Sequence, residues 1–214
     1  MKTEDLIVQL ADEMQPVRPL APPMRRLAIW AAGALALTAV SVLVIGPRAD
    51  SAEIAQQRSF LMLALLTLAT GVCAAGAALV LSVPGAERTP AQHWLPIVVA
   101  LAWAALLTEA MIAGGAAMSR IGALPIHTRC VIQIAGLGLV PGWLLFRMLR
   151  GAAPLRLSWS AGLGALAAVA FAAAGVQFLC PLDDPAHHLV GHFAPVAVLA
   201  FAAAWGGIAR TITR

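Results

Sequence analysis

The chain has 214 residues, 61% of them hydrophobic and 11% charged, where a soluble domain carries about 45–50% apolar and about 25% charged residues. That leaves too little polar surface to coat a globule of this size, so a water-soluble fold is excluded and the chain belongs in lipid. Its net charge of +4 comes from 14 Lys and Arg against 10 Asp and Glu. Scattered between apolar runs, these basic residues read as topology signals rather than as a nucleic-acid surface.

The first 26 residues, MKTEDLIVQLADEMQPVRPLAPPMRR, divide into two parts. Thr3 can cap a short helix whose positive N-terminal end suits Glu4 and Asp5, and Leu6, Ile7, Leu10 and Met14 recur at helical spacing as one apolar stripe. Pro16 ends it, and the four prolines from Pro16 to Pro23 form an extended spacer leading to Arg25 and Arg26 at the membrane surface. So polar a start does not read as a cleavable signal. Helices that lie on a bilayer are usually Lys- and Arg-rich, whereas this one carries Glu4, Asp5, Asp12 and Glu13 against Lys2 alone. The arm is therefore expected to dock its apolar stripe into a partner protein's groove.

Six apolar runs follow, each about 20 residues and so able to cross a hydrocarbon core as a helix. They extend from Leu27 to Ile45, Phe60 to Val83, Leu95 to Met118, Cys130 to Leu149, Leu157 to Leu179 and Leu189 to Ala209. The expected fold is an all-α integral membrane bundle of six transmembrane helices, organised as a 1–26 arm and a 27–214 transmembrane domain. An even number of spans places both termini on one side. Ten of the 14 Lys and Arg fall on that side, and only Arg48, Arg58, Arg120 and Arg129 on the other, so both termini are expected to be cytoplasmic in a multi-pass inner-membrane protein.

Small residues dominate the second span (Gly71, Ala74, Ala75, Gly76, Ala78) and the fifth (Gly162, Gly164, Ala167, Ala168, Ala172, Gly175). They are expected to fill the bundle through close helix approach rather than to form a dimer face. Pro141, between Gly138 and Gly142, predicts a kink in the fourth span. Glu109 is an acid well inside the third span, where its charge is costly and a role is the default suspicion.

Three cysteines are too few for a disulfide scaffold. Cys73 falls among Gly and Ala in mid-span and reads as packing. Cys130 opens the fourth span and Cys180 closes the fifth, so topology brings both to the outer edge of the membrane, where they can share a soft metal ion, form a disulfide or react separately. After Cys180 the segment CPLDDPAHHLVGH offers Asp183, Asp184, His187, His188 and His192 as further ligand types, with His188 and His192 one turn apart in a helix. The plainer reading is an outer turn whose Asp183 or Asp184 caps the sixth helix. No phosphate loop and no nucleophile with base and orienter is present, so enzymatic chemistry is not expected.

The opening MKTEDLIVQLADEMQPVRPLAPPMRRLAIW, the GPRAD after the first span, the LSVPG after the second and the terminal CPLDDPAHHLVGH together resemble the negative-regulator-of-sigma-F (NrsF) family of bacterial membrane anti-sigma factors. The resemblance implies a protein that holds an extracytoplasmic-function sigma factor at the inner membrane until a signal arrives. It implies lipid and that sigma factor as partners, no direct contact with nucleic acid, and no resident cofactor beyond transient heavy-metal binding. The family's two periplasm-facing cysteines, linked to the response to metals such as chromate and cadmium, correspond by position to Cys130 and Cys180. Two rival readings are a small ion, proton or metal transporter using Glu109 with His187, His188 and His192, and a membrane subunit binding haem or copper through those histidines.

Overall fold

The computed structural model describes residues 3–12, 19–86, 91–114, 127–152 and 154–212. A short helix α1 (Thr3–Asp12) precedes α2 (Pro23–Ile45), a single turn α3 (Ser51–Ile54), α4 (Arg58–Leu81), α5 (Ala91–Ala113), α6 (His127–Arg150) and α7 (Leu157–Gln177). The last span is composite: α8 (Pro185–His187), a π-helical segment His188–Phe193, then α9 (Ala194–Ile212). No strand occurs among the described residues. Six of these helical stretches are long and apolar enough to cross a membrane, and the protein is an all-α membrane bundle.

Local chemistry explains the boundaries. Pro23 occupies the first position of α2, where its fixed φ favours a helix and its missing N–H costs nothing, so α2 starts four residues before the apolar run does. The predicted end of the third span at Met118 falls outside the described residues. Proline is carried inside two helices, Pro96 in α5 and Pro141 in α6. At the second, the indole Nε1 of Trp30 in α2 donates to the carbonyl of Pro141 at 2.9 Å.

Helix α7 is the most buried of the six and packs against α4, α6 and α9. Ala74, Ala75 and Ala78 of α4 and Ala167, Ala172 and Ala173 of α7 are completely buried, so the small-residue stripes fill the bundle as expected. Several of these contacts depend on glycine, at Gly71, Gly162, Gly175 and Gly207. A Cβ on Gly71 would lie 2.6 Å from Cδ2 of Phe171, and one on Gly207 only 2.8 Å from Cα of Ser158, so α4 and α9 both reach α7 closely enough to exclude even a methyl group. Aliphatic and aromatic side chains such as Leu43, Ile132, Trp143 and Phe201 cover the outside, the surface that faces lipid tails in a membrane bundle.

The bundle has two chemically different ends. One gathers the 46–50 turn, α3, the start of α6, residues 178–184 and α8. The other gathers the starts of α2, α5 and α7 and the end of α6, with Arg26 donating to the carbonyl of Met148 and a ring cluster of His93, Trp94 and Trp159 at 4.9–5.4 Å. Amphipathic aromatic rings of this kind favour a membrane–water interface.

Candidate functional site

At the first of these ends the chain assembles a buried cluster of sulfur and imidazole. Cys130 enters from the first turn of α6 and Cys180 from the turn after α7, and their sulfurs stand 3.7 Å apart. That is far beyond the S–S bond of about 2.05 Å, and all three cysteines are free thiols. The Nε2 atom of His187 lies 3.5 Å from the Cys130 sulfur and 3.2 Å from the Cys180 sulfur. His192 completes the group: one ligand atom from each of Cys130, Cys180, His187 and His192 falls within 4.8 Å of all the others, and all four residues are buried.

The π-helical segment explains why these two histidines meet. In an α-helix His188 and His192 would share a face, as their spacing predicts, whereas the wider i→i+5 turn also swings His187, five residues before His192, toward the same side. His187 and His192 are five apart, with ring centroids at 5.3 Å. His188 leans on His192 at 4.5 Å but stands outside the cluster, beside a cavity bordered by Ile54, Leu107 and Asp183.

The two aspartates are engaged elsewhere. Asp184 accepts from the backbone N–H of Ala186 at 2.9 Å and caps α8. Asp183 takes two hydrogen bonds from Arg48, to Oδ1 at 2.5 Å and to Oδ2 at 2.8 Å. The same guanidinium donates to both oxygens of Asp50, at 2.6 and 2.8 Å, and to the carbonyl of Cys180 at 2.9 Å. Arg48 also donates its backbone N–H to Phe178 at 2.9 Å. The sequence carries Arg48 only as one more basic residue in an outer loop. The fold makes it a clamp that fixes the Cys180 turn to the end of α2. Asp183 first and Asp50 second raise the Arg48 pKa, and Arg48 in turn lowers that of Asp50. The hydrogen bond from Cys130, opposed by burial and helped by His187, pulls the Cys180 thiol below the usual thiol range.

The other predicted residues separate from this cluster. Glu109 is exposed on α5, and the buried group of thiols and imidazoles does not include it. In α1, Ile7 and Leu10 are 61% and 56% exposed, so the apolar stripe is open. The helix closes at Asp12, Met14 lies outside the described residues, and of Leu6 only the backbone is described. A further polar pair went unnoticed in the sequence: Gln177 donates to Thr67 at 3.0 Å between α7 and α4, fully buried.

A family model described as negative regulator of sigma F matches residues 10–211, nearly the whole chain. The chain belongs to the NrsF family. Comparison with curated proteins and with solved structures found no match. NrsF membership gives the chain the role of an anti-sigma factor in transcription regulation and a sigma factor as its partner, within a regulatory rather than an enzymatic family. In this NrsF protein, then, the thiol–imidazole cluster belongs to a regulator. Chemically it can do two things: hold a soft cation between its donors, or close its two sulfurs into a disulfide.

Proposed function

We propose that this anti-sigma factor holds an extracytoplasmic-function sigma factor at the inner membrane and releases it when Cys130 and Cys180, facing the periplasm, meet a heavy metal or an oxidant. The observation that carries the proposal is the approach of two sulfurs, 50 residues apart in sequence, to 3.7 Å in a buried pocket. The excess of Lys and Arg on the opposite, terminal side supports the orientation. The apolar stripe of the arm, Leu6, Ile7, Leu10 and Met14, is the docking element for the sigma factor, and the exposure of Ile7 and Leu10 supports that assignment.

Helix α2 supplies a path between the two sides. Its inner end continues into the arm, and Arg48 just past its outer end is bonded to the carbonyl of Cys180. Near its inner end Arg26 and Trp30 are bonded to carbonyls of α6, the helix that begins at the Cys130 end. A signal that moves the Cys180 turn against α6 therefore acts on the arm-bearing helix at both ends. The relay we propose runs through the Trp30–Pro141 contact between α2 and α6, a reading supported by the 2.9 Å hydrogen bond there, in addition to any kink at Pro141. To move the population from 1:99 to 99:1 the signal must favour the releasing state by about 5.5 kcal/mol, within reach of a soft-metal or disulfide event.

The test is a reporter for the cognate sigma factor in cells carrying the double variant Cys130→Ser, Cys180→Ser. Repression is expected to persist and induction by cadmium or oxidant to disappear. Normal induction in the double variant would remove the sensor role.

A further inference from the structure

We infer that Cys130, Cys180, His187 and His192 form one four-coordinate site for a divalent cation of the zinc and cadmium class, with the histidines as ligands equal to the cysteines. The inference deepens the sensor reading and rests on it only for the consequence of binding.

The geometry comes first. With metal–sulfur bonds of about 2.3 Å and metal–nitrogen bonds of about 2.05 Å, a tetrahedral site has edges of about 3.8 Å between sulfurs and about 3.6 Å between sulfur and nitrogen. The chain holds its sulfurs 3.7 Å apart, and the Nε2 of His187 is 3.5 and 3.2 Å from them. Three corners of the tetrahedron are thus already within a few tenths of an ångström of their bound positions, and His192 lies within 4.8 Å of each. Little reorganisation is needed to bind.

His192 supplies the second observation. Its ring is fully buried, neither Nδ1 nor Nε2 makes a hydrogen bond of ordinary length and angle, and the polar group facing it is the Cys180 thiol. Polar ring atoms held in a buried interior without well-formed hydrogen bonds are costly, and a ligand that completes the group removes that cost. A bound cation would use one of these nitrogens.

The donor set names the class. Two thiolates and two neutral imidazoles suit zinc and its heavier congener cadmium, and exclude magnesium and calcium, which require oxygen. The nearby carboxylates are spoken for, Asp183 by Arg48 and Asp184 by the α8 cap. Two thiolates around a dication with two neutral rings have no net charge, the state a low-dielectric pocket favours. Each thiol that is protonated beforehand gives its proton to solvent as its metal–sulfur bond forms. Disulfide formation, by contrast, would leave both imidazoles without a role.

The experiment uses the full chain in detergent or nanodiscs, titrated with Co²⁺ and then displaced with Cd²⁺ or Zn²⁺. One ion per chain is expected, with the intense visible bands of tetrahedral cobalt and a thiolate charge-transfer band. His187→Gln and His192→Gln should each weaken binding about 100-fold while circular dichroism stays unchanged. If a variant misfolds, X-ray absorption of the cadmium-loaded unmutated protein decides: two sulfur and two imidazole scatterers support the site. Sulfur-only coordination, or cobalt affinity unchanged in the folded double histidine variant, would overturn it. These outcomes are separable from failure of the sensor role, which is read from induction in the double cysteine variant.

Discussion

The guanidinium of Arg48 reaches 132 residues along the chain to bond the carbonyl of Cys180 at 2.9 Å. It is one-twentieth exposed as a side chain, while its partners Asp50 and Asp183 are about half exposed. Charge-assisted hydrogen bonds of this kind are stronger than neutral ones, and solvent at the two half-exposed carboxylates screens them in part. Arg48→Ala is therefore expected to lower the thermal midpoint of the solubilised protein by several degrees and to speed maleimide labelling of Cys180. Arg48→Lys keeps the charge but not the fork, and should fall between the two. Unchanged labelling in Arg48→Ala would show that the Cys180 turn is held by something else.

The same clamp carries a pH dependence. Arg48 lowers the Asp50 pKa from its usual value of 3.8. A depressed carboxylate contributes stability that is fully present above its unfolded pKa and lost as pH falls through its folded one. Wild-type protein should lose thermal stability below about pH 4, and Asp50→Asn should lose less over the same range. Superimposable melting profiles from about pH 6 to about pH 3 would contradict this.

Close helix approach predicts a steric penalty at Gly207. An alanine there sets a methyl 2.8 Å from the backbone of Ser158, which cannot yield as a side-chain tip would. Overpacking of this kind costs about 1–3 kcal/mol, so Gly207→Ala should lower expression and melting temperature, whereas Gly33→Ala, with nothing within 4 Å, should leave both unchanged.

The arm makes a binding prediction. Replacing Ile7 or Leu10 by Asp removes an exposed apolar anchor and adds like charge beside Glu4, Asp5 and Asp12. Each change should weaken sigma-factor binding about 10- to 100-fold in a pull-down or by interferometry, about 1.4–2.7 kcal/mol. The melting temperature of the bundle should stay constant, which separates a docking role from a folding one.

Glu109 is predicted to be silent in signalling. Its exposure on α5 sets it apart from the buried cluster, and Glu109→Gln should leave both repression and metal induction at wild-type levels. A loss of induction would return the intramembrane acid to the mechanism.

Much of the bundle could be read from the sequence because the bilayer imposes one period and one length on every span. Leu27, Phe60, Cys130 and Leu157 all lie within four residues of helix starts. Cys130 and Cys180 could be paired because topology alone sets them at one level. The histidine partners are less legible, since an α-helical period selects His188 with His192, and the wider turn of the π-helical segment that follows His187 is what lets that ring join His192. No local pattern in the sequence announces the Arg48 clamp, because its carboxylate partner Asp183 is 135 residues away. Gln177 and Thr67, 110 residues apart, were hidden in the same way.

The most direct measurement of the central claim is the release of sigma factor from the purified complex in nanodiscs when one equivalent of Cd²⁺ is added, followed by fluorescence of a labelled sigma factor. Release from wild-type protein, and none from the Cys130→Ser, Cys180→Ser variant, is the predicted result. Wild-type protein that binds the cadmium yet keeps its sigma factor would contradict the account.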